Sequence, residues 1–200
     1  MSDFIYLASQ SPRRRELLGQ LGVRHELLLP GDDEDAEALE AVQAGEAPEA
    51  YVQRVTRAKL EAALQRLQRR GLPPAPVLCS DTTVALDARI LGKPADDADA
   101  AATLAALSGR EHRVITGVAV GEGGRIEQAL HVSRVWMREI QPQEIERYVR
   151  SGEPRGKAGS YAIQGRASEW IERIDGSHSG IMGLPVFETA ALLRRFNVDF

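Results

Sequence analysis

The sequence predicts an α/β protein with a largely open sheet flanked by helices. Three observations predict it. Strand-like and helix-like runs interleave along the chain, with no internal repeat and no low-complexity tract. The run VLCSDTTVAL (77–86) reads as a buried central strand. The turn GEGG (121–124) stands between two β-rich runs, HRVITGVAVGE (112–122) and LHVSRVWM (130–137).

The elements follow in order. An apolar run gives a first strand over 4–9. Ser11-Pro12 opens a helix over 12–21, since serine suits the N-cap and proline the first helical position. Leu17, Leu18 and Leu21 give that helix its apolar stripe, and Gly22 closes it. A strand is expected over 24–30, followed by the acidic stretch GDDEDAEALE. A long helix runs from about Pro48 to Arg70, with Val52, Val55, Ala63 and Leu67 spaced along one face, until GLPPAP breaks it. After the central strand come a short strand in ARILG and a helix from Asp97 to Leu107. The two β-rich runs follow, then a helix in PQEIERYVRSG. Short strands in SYAIQG and EWIERID precede a final helix over 186–196.

Two hundred residues suffice for one domain with a sizeable core, expected over 1–200. A hydrophobic content of 43% with 27% charged residues is ordinary for a soluble chain. A net charge of −4 carries no nucleic-acid signature. Cys79 is the single cysteine, so no internal disulfide forms. No stretch approaches the roughly 18 apolar residues of a membrane span, and no signal-peptide pattern opens the sequence. The expectation is a cytoplasmic protein that binds neither nucleic acid nor membrane.

Several residues sit where structure alone does not ask for them. Arg13, Arg14 and Arg15 occupy the first turn of a helix, where the helix dipole disfavours cations by about 0.3–1 kcal/mol each. A solvated helix end is the ordinary reading of a basic run. The alternative is an anion site, in which free N–H groups and guanidinium forks cradle a polyphosphate, with Arg15 left in solvent. Lys59 interrupts the apolar stripe of the long helix, four residues from both Val55 and Ala63, either snorkelling or facing a ligand. Asp81 closes the apolar run Val77-Leu78-Cys79 and is followed by Thr82 and Thr83; ligands of open α/β sheets sit at the carboxyl ends of such strands. Lys93 is a further phosphate candidate. Glu34 lies in an acidic run, ordinarily a solvated loop, which in a minority of proteins holds a hard cation such as Mg²⁺. In GKAGSYAIQG, Gln164 between Ile163 and Gly165 could present a buried amide, whose paired donor and acceptor match the edge of a pyrimidine. His25, His112, His131 and His178 share no metal-ligand spacing, and neither a Ser-His-Asp order nor a P-loop is present.

Taken together, LASQSPRRRELL, DDE (32–34), SDTTVALDARILGKP, LSGREHRVITGVAV, GEPRGKAGSYAIQG and GLPVFET resemble, in the same order, the motifs of Maf proteins, over about residues 4–196. These are house-cleaning nucleoside triphosphate pyrophosphatases. The resemblance implies two lobes around a nucleotide-binding cleft. YAIQG is similar to the branch acting on dTTP and UTP, which implies hydrolysis of those nucleotides, or of modified pyrimidine triphosphates, to the monophosphate and pyrophosphate. By the same resemblance Asp81 is the proton acceptor and Arg13, Thr82 and Gln164 govern substrate choice. Ser9, Arg14, Glu34, Lys59, Lys93 and Lys157 match polar positions of the family cleft. The implied cofactor is a divalent cation, Mg²⁺ or Mn²⁺, held by Glu34 and Asp81; the partner is the nucleotide, and a homodimer is the assembly to test. Two rivals stay open: a non-catalytic nucleotide sensor acting in division arrest, and a 7-methyl-GTP pyrophosphatase.

Overall fold

The computed structural model describes residues 2–31, 34–35 and 38–200. Asp32 and Asp33, the first two residues of the DDE motif, lie outside the described residues. Among the described residues seven strands form one open mixed sheet, and six α-helices cover it. The strands are β1 (Ile5–Leu7), β2 (His25–Leu27), β3 (Val77–Leu86), β4 (Arg89–Leu91), β5 (Glu111–Glu122), β6 (Arg125–Met137) and β7 (Ile171–Asp175). The helices are α1 (Pro12–Gln20), α2 (Pro48–Arg69), α3 (Asp97–Leu107), α4 (Pro142–Arg150), α5 (His178–Met182) and α6 (Val186–Arg195). No helix among the described residues is long and apolar enough to cross a membrane.

The order across the sheet is β2-β1-β3-β5-β6-β7. β1 runs parallel to both β2 and β3, whereas β5, β6 and β7 continue antiparallel from β3. One detail of register makes the site. β1 pairs β3 only at Val77 and Leu78, and β4 pairs it only from Val84 to Leu86. Between them, residues 79–83 have no strand on that flank among the described residues, while β5 pairs them on the other. The sheet is interrupted beside its most central strand, and the interruption opens a cleft.

Alternation along β3 sends successive side chains to opposite faces. Val77 and Cys79 pack under Leu60, Ala63 and Leu67 of α2, and Ala85 packs near Tyr51, Val52 and Val55. Leu78 joins the opposite core with Leu17 and Leu18 of α1 and Leu192 and Leu193 of α6. Val84 and Leu86 join a third core with Leu104 and Leu107 of α3 and Tyr148 of α4. α2 lies very close to β5: a side chain at Gly117 would place its Cβ 2.4 Å from Thr56 Oγ1, so only glycine lets the helix come this near.

Two expectations are corrected and one helix is added. SYAIQG forms no strand; Ala158–Ser160 is a short 3₁₀ turn and Gly165 N–H bonds back to Ala162 O at 3.0 Å. Gly159 and Ser160 are both left-handed (φ 68° and 63°), which breaks an extended run. β6 begins at Arg125, earlier than the apolar pattern implied, because its outward residues are polar. α5 was not legible, being a single turn bounded by Ser177 and the left-handed Gly183.

Candidate active site

A cavity of about 820 Å³ opens at the interrupted flank of β3. The start of α1, β3 from Ser80 to Val84, the inner face of α2, Lys93, the turn around Lys157 and the segment 181–183 surround it. Of the residues picked out in the sequence, Ser9, Arg13, Arg14, Glu34, Lys59, Asp81, Thr82, Lys93 and Lys157 all line it. Gln164 does not. It is exposed on the turn after Ile163, and Ile163 faces the cavity instead, so the expectation of a buried amide at Gln164 does not hold.

On the Thr82 side of β3 the cavity is cationic. Ser11 takes the N-cap position of α1 but its side chain caps nothing, and no acidic residue lies in the first turn. The first-turn N–H groups therefore keep capacity for an anion. Arg14 is fixed by three acceptors: Gly183 O to Nε (2.8 Å), Ser9 Oγ to Nη1 (3.1 Å) and Thr82 Oγ1 to Nη2 (3.4 Å). Arg13 Nε is buried with no hydrogen-bond partner among the described residues. Lys157 donates to the Glu153 carbonyl. Burial lowers the pKa of Arg14, against the pull of Asp81; burial, then the nearby Arg13, lowers that of Lys157. Arg14 and Lys157 are each disfavoured as cations by desolvation and by the charge of Arg13, and an anion would relieve both.

On the opposite face of β3 the cavity carries an acid–base network. Lys59 Nζ donates to Asp81 Oδ1 and to Glu40 Oε1, each at 2.6 Å. Glu40 Oε2 accepts from Lys93 Nζ at 2.9 Å. Burial opposes the charge on Lys59, but the two carboxylates outweigh it and raise its pKa. Burial likewise opposes the charge on Glu40, and Lys59 and Lys93 hold its pKa below the ordinary value. The Asp81 side chain is 10% exposed, and its Oδ2 makes no hydrogen bond to any described residue. One carboxylate oxygen is thus oriented by Lys59 and the other is open to the cavity. Asp81 reaches this position from the middle of β3, not from a strand end as the apolar run suggested; the early departure of β1 uncovers it.

Glu34 belongs to a separate cluster. Arg66 grips it through Nε (2.9 Å to Oε1) and Nη2 (2.7 Å to Oε2), and Arg69 adds a third contact at 3.1 Å. The Arg66 hydrogen bond is the main cause that brings its pKa down to about 2. A carboxyl whose folded pKa lies below its unfolded value stabilises the fold above the unfolded pKa and loses that contribution as pH falls through the folded one. Arg66 is 6% exposed at its side chain, so removing its partner leaves a buried charge, at a cost of about 3 kcal/mol or more. Glu34→Gln is therefore expected to lower unfolding stability by that order at neutral pH. Denaturant titrations of both proteins should converge as pH falls from about 4.5 to about 2; a difference independent of pH would refute the assignment.

Glu40, Arg66 and Tyr161 line the cavity and were missed. Arg66 had a signal, since it falls seven residues after Lys59 on the inner face of α2. Glu40 had none beyond ending the acidic stretch. The two carboxylates that converge are Asp81 and Glu40, on one ammonium; among the described residues no group of three or more potential metal ligands gathers. Two hard oxygen donors around a single positive centre still fit Mg²⁺, which takes one or two carboxylates and fills its other positions with water and phosphate.

The family model described as Maf-like protein matches residues 4–196. A protein of Cupriavidus pinatubonensis named dTTP/UTP pyrophosphatase is 65% identical over 200 residues, covering all of both chains. Proteins with the same name are 64% identical in Albidiferax ferrireducens, over 98% of both chains, and in Cupriavidus metallidurans, over all of both.

Proposed function

The chain belongs to the family of Maf-like proteins, and from that premise we propose that it hydrolyses dTTP and UTP to the nucleoside monophosphate and pyrophosphate. The relatives' shared name supports the substrate. The observation that carries the chemistry is the division of one cavity by β3: Arg13, Arg14 and Lys157, with no carboxylate paired to them among the described residues, on one face, and the oriented Asp81 on the other. The reading takes residues 1–200 as one working unit, since the seven strands among the described residues share one sheet.

In this reading the triphosphate lies along the interrupted flank of β3. The free N–H groups of α1 and the Arg13, Arg14 and Lys157 side chains bind its phosphates and stabilise charge that builds on the leaving pyrophosphate. Lys59 holds Asp81 so that Oδ2 faces the α-phosphorus. Asp81 takes a proton from the attacking water, the new P–O bond forms, and the bond from the α-phosphorus to the bridging oxygen breaks. Such positioned proton transfer contributes about 10²–10⁴-fold. Asp81 and Glu40 would hold Mg²⁺, with Glu34 engaged by its arginines; the ion, when bound, polarises phosphate oxygens and acidifies water.

A panel of nucleotides tests the proposal. With Mg²⁺ present, dTTP and UTP are expected to exceed CTP and the purine triphosphates in kcat/KM by at least about 10-fold, with monophosphate and pyrophosphate as the only products. Leadership of 7-methyl-GTP, or release of orthophosphate, would overturn it. Binding without turnover would favour a sensor, but a sensor has no use for a carboxylate oriented as Asp81 is.

A further inference from the structure

Beyond the phosphate-binding groups, the cavity has an apolar end formed by Val84, Val114, Tyr161, Ile163, Ile181 and Met182. Among the described residues Tyr161 is the only aromatic side chain in that wall, and two devices fix it. On one side, the left-handed pair Gly159–Ser160 delivers the chain to it. A Cβ at Gly159 would lie 2.7 Å from Val84 Cγ2, so this turn is pressed onto β3 with no room to shift. On the other side, the Tyr161 hydroxyl lies 2.8 Å from His112 Nε2 on β5. The two rings meet edge to face, with centroids 5.5 Å apart and planes at 87°. Both residues are buried, at 2% and 6% exposure.

His112 is therefore a buried histidine that the proposed chemistry does not use. Burial pulls its pKa down to about 4, so the ring is neutral at pH 7. Burial pushes the Tyr161 phenol well above its ordinary range, so the hydroxyl stays protonated. A neutral hydrogen bond joins the pair, and both side chains are buried. Because the hydroxyl is engaged by His112, the cavity meets the carbon surface of the ring. A flat, weakly polar wall of that kind suits the face of a nucleobase, not a phosphate.

We infer that His112 is a positioning residue for base recognition, acting through Tyr161, whose ring it holds as the wall on which the pyrimidine rests. This rests on the nucleotide reading above. It predicts a selective defect: ligands that carry a base lose affinity, and ligands that are phosphate alone do not.

Calorimetric binding of dTMP and of inorganic pyrophosphate to Tyr161→Phe, His112→Leu, His112→Gln and the double variant Tyr161→Phe/His112→Leu tests it. Tyr161→Phe keeps the ring and deletes only the hydroxyl, so it serves even if His112→Leu fails to fold. Loss of one buried neutral hydrogen bond should weaken dTMP about 3- to 10-fold and leave pyrophosphate affinity unchanged. The double variant should be no weaker than the worse single one, because both remove the same bond. His112→Gln, whose amide reaches the place of Nε2, should bind dTMP more tightly than His112→Leu. Equal weakening of both ligands, no weakening of either, or additive effects in the double variant would overturn the inference. Turnover of dTTP by the unaltered protein is followed alongside. Its absence would remove the pyrophosphatase reading, while the dTMP-to-pyrophosphate ratio would still decide the role of His112.

Discussion

Asp81→Asn is expected to lower kcat for dTTP by about 10²-fold or more while nucleotide binding persists. The substitution keeps the shape of the side chain and keeps an oxygen for Lys59 Nζ, now 2.6 Å away. What disappears is the negative charge and the ability of the free Oδ2 to accept a proton. Lys59 retains its second anchor, Glu40, so the network does not collapse. The effect should therefore fall on kcat, with KM for dTTP changed little and the thermal midpoint preserved. Steady-state kinetics with Mg²⁺ raised to saturation for each protein measures it, so that a weaker hold on the ion is not counted as loss of the base. A variant turning over at near the original rate would remove Asp81 from the mechanism, whatever its place in the cavity.

The second large effect separates two arginines of one run. Arg13→Ala should lower kcat/KM by about 10- to 100-fold, since hydrogen bonds to charged groups are worth about 1.5–3 kcal/mol. Arg15→Ala should change it little. Arg13 lines the cavity and has a buried Nε without a partner among the described residues, whereas Arg15, two residues on, is exposed on the outside of α1. Both substitutions remove one positive charge from the same helix turn. If kcat/KM dropped equally, the run would act as a diffuse field and the geometric assignment of Arg13 would fail. Repeating both at high salt sharpens the contrast, because screening suppresses a diffuse field more than a buried contact.

Legibility in the sequence followed physical locality. Arg13 and Arg14 could be placed because Ser11-Pro12 sets the register of α1, and register decides which arginines face inward. Lys59 could be placed because helical periodicity puts it on the buried face of α2. Asp81 stood out by ending an apolar run inside the strand read over 77–86, although that run suggested a strand end where Asp81 lies mid-strand. Glu40 could not be read, since the segment between β2 and α2 has no period and its pairing with Lys59 joins residues 19 apart. Gln164 was misplaced for a related reason: left-handed backbone at Gly159 and Ser160 turns the chain, and alternation cannot be carried through such a turn. His112 shows the converse, a residue read as ordinary whose partner, Tyr161, lies 49 positions away.

The missing strand beside residues 79–83 sets a bound on how this protein can be stabilised. Lengthening β1 or β4 until they met would complete the backbone ladder along β3 and bury polar groups now left to the cavity. A designer seeking a more heat-resistant variant would find that repair attractive, and it would abolish the pocket. Thermostabilising changes belong instead in the core between α1 and α6, around Leu17, Leu18, Leu192 and Leu193, and at loop termini remote from β3, where added rigidity does not trade against turnover.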